Sequence, residues 1–139
     1  MLFDSKVLFA DKQAITADAA GSVGGSASVL ELGGDDYSKS WIAIIVDTAF
    51  TTSGSPTGAT IDVAIETDSA SNFGTKTVLI KKTVDIANAK KGDVIAFRMP
   101  LGLKKYTRCY FDVTLTGGTS PAITAGKLTV GITDGVQTA

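Results

Sequence analysis

The chain reads as all-β, a jelly-roll-like two-sheet β-sandwich of about eight strands, and three features predict this. Apolar residues recur at every second position through most of the sequence, the period of a strand with one buried face. Glycine, at 15 of 139 residues, clusters with Ser, Thr and Pro between the alternating runs. That much glycine, with three prolines, argues against long helices.

In chain order, Ile15, Ala17 and Ala19 predict a weak strand and Val29–Leu32 a short one. Trp41–Val46 is apolar on both faces, as expected of a central strand covered on both sides. Ile61, Val63 and Ile65 alternate with Asp62, Ala64 and Glu66. Within Lys76–Ile86, Val78 and Ile80 and then Val84 and Ile86 lie on one face. Ile95, Phe97 and Met99 form the next strand, which Pro100 ends because proline has no amide to donate. Cys109, Phe111, Val113 and Leu115 predict a further strand, and Leu128, Val130 and Ile132 the last. Gly33–Asp36, Ser53–Gly58 and Gly117–Pro121 carry turn chemistry. Ile86–Lys91 could form one helical turn closed by Gly92. No internal repeat or linker divides the chain, so residues 1–139 are expected to form one domain, with 1–10 available as an extended N-terminal arm.

Several function classes are disfavoured. Net charge is −1, so no overall field draws nucleic acid or an anionic membrane. The longest apolar run, Trp41–Val46, is far short of the ~20 residues that span a bilayer. The N-terminus lacks a basic start and an apolar stretch, so synthesis in the cytoplasm is expected. Cys109 is the only cysteine and reads as a buried strand residue. Histidine is absent, which removes the commonest general base and zinc ligand. The acids sit in turns (Asp35, Asp36) or on solvent faces (Asp62, Glu66) rather than as a catalytic pair. Asp68–Gly74 resembles a calcium loop but has Ala70 at the third position, without a side-chain oxygen; a hairpin loop is the plainer reading. Gly21–Ser26 lacks the lysine and the following helix of a phosphate loop. No catalytic, cofactor-binding or metal-ligating residue is therefore assigned.

Charge is unevenly divided: residues 1–60 hold seven acids and three lysines, residues 61–139 seven acids and ten bases. The basic residues come in pairs, Lys81-Lys82, Lys90-Lys91 and Lys104-Lys105, and read either as a solvated face or as a patch docking on an acidic partner. Leu2 and Phe3 could extend onto a neighbour or belong to a first strand. Trp41 and Phe50 read as core or subunit-interface residues.

Trp41–Thr51, running through Val-Asp-Thr-Ala-Phe-Thr into a Ser/Gly loop and then Thr60–Asp68, resembles the small capsid cement proteins of short-tailed phages, the family typified by a Bordetella phage. Leu2–Ser5, Asp11–Ala17, Met99–Gly102, Tyr106–Phe111 and Pro121–Thr129 are similar to the same family in the same order, while Gly21–Ser28 departs from it. The resemblance implies a jelly roll on the outer surface of an icosahedral virion, stabilising the shell by bridging neighbouring major capsid proteins. It implies self-association, as a homodimer at two-fold axes or a trimer, and carries over no catalytic residue and no cofactor. A carbohydrate-binding β-sandwich and another phage head or tail component are the alternatives.

Overall fold

The computed structural model describes residues 7–33 and 40–133. The described residues form eleven strands: β1 (Leu8–Ala14), β2 (Ala19–Ala20), β3 (Ser22–Val23), β4 (Ser26–Ala27), β5 (Leu30–Glu31), β6 (Trp41–Ser53), β7 (Gly58–Asp68), β8 (Thr77–Asp85), β9 (Val94–Arg98), β10 (Tyr106–Thr116) and β11 (Ala122–Thr133). One sheet runs β1-β11-β6-β9. The other runs β10-β7-β8, with β2 and β5 both pairing along the free side of β10. Among the described strands all pairings are antiparallel, and one set of them nests: β7 with β8, β6 with β9, β2 and β5 with β10, β1 with β11. Nested pairing of this kind is a hairpin ribbon wrapped into a jelly roll, so the expected fold class is observed.

The period-two pattern fixes which side chains meet between the sheets. Ile42, Ile44 and Val46 of β6, Leu128, Val130 and Ile132 of β11, and Phe97 of β9 face Ile61, Val63 and Ile65 of β7, Cys109 and Phe111 of β10, and Val84 of β8. Each such aliphatic side chain contributes roughly 1.5–3 kcal/mol by leaving water. The β7–β10 register is unbroken from Gly58 opposite Thr116 to Asp68 opposite Tyr106, which makes this ladder the straight spine of its sheet.

Three local expectations are corrected. The strand expected at Ile15–Ala19 is displaced: β1 occupies Leu8–Ala14, residues 15–18 turn, and only Ala19–Ala20 re-enter a sheet. Two register shifts interrupt β1, and Lys12 has φ 45°, so Leu8, Phe9 and Ala10 are all buried and the alternation that marks a strand is lost. Of the arm expected over 1–10, Leu8–Ala10 thus belong to β1, while Leu2 and Phe3 lie outside the described residues.

The helical turn expected at Ile86–Lys91 is two tight turns. Asp85 accepts the amide of Ala87 and the side-chain amide of Asn88, and Asp93 accepts the amide of Lys90. These carboxylates offer the backbone a local alternative to a helix.

Gly21–Ser28 holds the β3–β4 hairpin. Its tip, Gly24-Gly25, has φ 62° and 85°, the left-handed pair a two-residue hairpin requires. The hairpin lies beside edge strand β1, joined to it by Gln13 Nε2 donating to Ala20 O, Ser22 N donating to Gln13 Oε1, and Ser28 Oγ donating to Leu8 O. It covers an edge that would otherwise offer free backbone groups to another chain.

Candidate docking surfaces

Register places the loops at two ends of the sandwich. Leu8, Thr133, Trp41 and Arg98 share one end of the first sheet, and the loops 69–76 and 99–105 close the same end of the second. At the opposite end lie residues 15–18, 54–57, 86–93 and 117–121.

This arrangement separates the paired lysines. Lys104 and Lys105 stand at the first end, and Lys90 and Lys91 at the other. Lys81 pairs with Ala64 and points outward, whereas Lys82 pairs with Val63 and points inward at the open edge, its Nζ 5.7 Å from the centre of the Phe97 ring. Adjacent residues on a strand face opposite ways, so a Lys-Lys pair within β8 cannot form one patch.

The outer faces of the two sheets differ in chemistry. On the β10-β7-β8 sheet it carries Asp62, Lys81, Thr83, Arg108 and Asp112, while Glu66, expected on a solvent face, is buried among them. Its densest feature is a cluster missed in the sequence. Glu66, with only 3% of its side chain exposed, accepts a hydrogen bond from Arg108 Nε at 2.9 Å and pairs with Lys76 Nζ at 3.2 Å. The Arg108 guanidinium lies 4.2 Å from the Phe73 ring centre and 5.4 Å from that of Tyr110; Lys76 lies 5.2 Å from Tyr110. Lys105 stands 5.2 Å from the Tyr106 ring in the same way. Cations thus lie against the aromatic rings that a sugar would need as platforms.

The outer face of the β1-β11-β6-β9 sheet is apolar. Trp41, Ala43 and Ile45 alternate with the core-facing Ile42, Ile44 and Val46, and pair with Val94, Ala96, Gly131, Thr129 and Arg98. Ala43 is fully buried, Trp41 and Ile45 are half-buried, and Val94 is 44% exposed. The doubly apolar Trp41–Val46 run therefore reflects this outer face as well as the core. Arg98 lies over Trp41 at 4.6 Å, and Asp47, further along β6, accepts a hydrogen bond from Thr129 Oγ1.

Asp68 shows why its loop is a poor calcium site. Oδ1 accepts the Ala70 amide at 3.2 Å and Oδ2 the Thr75 amide at 2.8 Å, so the carboxylate holds its own loop. The Thr75 amide above all, with those of Ala70 and Ser69, keeps its pKa below the usual carboxylate range. Cys109 is buried, and desolvation pushes its thiol far above the ordinary value. Among the described residues, every buried side-chain nitrogen and oxygen has a hydrogen-bond partner, and no group of three or more Cys, Asp or Glu is placed to hold a metal ion.

These features define a rigid jelly-roll module with its distinctive chemistry on outer faces and loops. The sequence matches the Bbp16 family model over residues 9–132, and the chain belongs to that family, whose name points to a Bordetella phage protein. No curated protein matches the sequence.

Proposed function

We propose that this protein is a cement, or decoration, protein that binds the outside of an icosahedral phage capsid and stabilises it by bridging neighbouring major capsid proteins. The observation that carries the reading is membership of a phage-protein family across residues 9–132, nearly the whole sandwich. The physics agrees with the role. A rigid core fixes the spacing between contact surfaces, and simultaneous weak contacts to two or more shell subunits add up through avidity. No reaction is part of this role.

Self-association as a homodimer belongs to the same reading, through the apolar outer face of the β1-β11-β6-β9 sheet. Two copies stacked about a two-fold axis would bury Trp41, Ile45 and Val94. Arg98 and Asp47 lie towards opposite ends of that face, so an antiparallel stack brings each Arg98 towards the partner copy's acidic end. Ile45→Asp is expected to convert the dimer to a folded monomer in analytical ultracentrifugation. A wild-type chain that sediments as a monomer at high micromolar concentration rules the dimer out.

Imaging expanded, empty phage heads mixed with the purified protein tests the main reading. Regular added density at symmetry positions, with heads that better survive heating, is the expected result. Bare heads overturn it and favour a tail or head-completion role. A carbohydrate-binding module has less support, because Tyr106 and Tyr110 both carry cations against their rings.

A further inference from the structure

Among the described residues, the most exposed large apolar side chain is neither on a sheet face nor at an edge. Leu101, in the β9–β10 connection, is 83% exposed, nearly twice the exposure of Val78 (43%) or Val94 (44%). The segment presenting it is fixed on both sides. Before it, Met99 is buried in the core and its amide donates to Ser40 O at 3.1 Å. After it, Leu103 packs against the core, and the Lys104 amide donates to Thr67 Oγ1 at 2.8 Å. That hydroxyl in turn donates to Tyr106 O at 2.8 Å, which ties the loop to the β7–β10 spine. Gly102, at φ 90°, makes the turn that leaves Leu101 outermost and sits over Leu79 of β8. A leucine held in water between two anchored points is preorganised for a contact outside the molecule.

The charges around it point to the chemistry of that contact. Lys104 and Lys105 follow directly and are exposed. The acids nearby are engaged: Asp68 with the amides of its loop, Glu66 with Arg108 and Lys76. Among the described residues, Glu31, across the β5–β10 pairing from Tyr106, is the exposed acid closest in register. Among those residues the corner is an apolar tip flanked by two exposed lysines.

We propose that the loop Pro100–Lys105 is the capsid-facing anchor, with Leu101 entering an apolar pocket on the shell protein and Lys104 and Lys105 facing an acidic rim around it. The inference rests on the cement reading and adds to it the site and the partner's chemistry. Because the loop ends are fixed in the free protein, little ordering cost attends binding.

The test is co-sedimentation of the full chain with expanded phage heads. Leu101→Asp is expected to weaken binding roughly tenfold or more. Lys105→Glu should weaken it less and reduce its salt dependence, while Lys127→Glu, the same charge change on β11, should leave it unchanged. Circular dichroism melts matching the wild type confirm that the variants fold. Leu101→Cys adds a second readout: with Cys109 buried, alkylation reports position 101 alone, and bound heads should protect it. Wild-type binding with full retention by Leu101→Asp, or with unprotected Cys at 101, overturns the anchor while leaving the cement role intact. A wild type that does not bind overturns both.

Discussion

Glu66 and Arg108 face each other across the β7–β10 ladder, and the 2.9 Å bond between them joins a buried carboxylate to a guanidinium lying against Phe73. Glu66 also pairs with the more exposed Lys76, so one acid holds two cations. Removing the acid leaves Arg108 with no charge partner in a partly buried position. Glu66→Ala should therefore cost about 3 kcal/mol, read as a lower urea midpoint. A loss below ~1 kcal/mol shows that the pair is screened like a surface bridge.

Asp68 makes stability depend on acid. Its pKa is lowered in the folded state, so its contribution is fully present above about pH 4 and is lost as pH falls through the folded-state value. Asp68→Asn should melt below the wild type at neutral pH, and the gap should narrow towards about pH 2. A gap independent of pH assigns the effect to lost geometry rather than charge.

Gly21 is the tightest point of the Gly21–Ser28 segment. A Cβ there would come 2.3 Å from Phe9 O and 2.4 Å from Cys109 Sγ, and a backbone oxygen within a sheet cannot move aside cheaply. Gly21→Ala should cost about 3 kcal/mol or prevent folding. Gly24→Ala meets no atom and loses only the left-handed preference of the hairpin tip, about 1 kcal/mol. The two variants together separate packing from turn strain in thermal melts.

The Cys109 thiol should be silent in the native protein. Its burial and raised pKa leave almost no thiolate, so a chromogenic disulfide reagent should react only in denaturant. Rapid reaction under native conditions means that β10 opens locally, which would contradict the packing around Phe111.

The fold was legible wherever the core-facing side chains recur at every second position. Ile61–Ile65, Cys109–Leu115 and Leu128–Ile132 are observed as read, because the β7–β10 register is unbroken and the core-facing part of β11 keeps its alternation. β1 was illegible because bulges bury Leu8, Phe9 and Ala10 in succession. The hairpin at Gly21–Ser28 was illegible because its polar, Gly-rich residues stack beside an edge rather than on a core. Docking surfaces were harder to read than the fold. Lys-Lys pairs stand out along a sequence, but the pleat sends Lys81 and Lys82 to opposite faces and the loops send the other pairs to opposite ends. The signal at Pro100–Lys105, two leucines inside a turn followed by two lysines, was present; only the structure shows that Leu103 goes inward and Leu101 does not.

The pairing of β1 with β11 sets a schedule for the nascent chain. Lys12 N donates to Thr129 Oγ1 across 117 residues, so the first strand has no ladder partner until β11 has left the ribosome. At about 5–20 residues per second, that wait is on the order of ten seconds. During it the side of β6 later taken by β11 is an open edge, and a neighbouring chain on the same message presents the same strand. Translation speed and spacing between ribosomes thus bear directly on the yield of correctly closed protein.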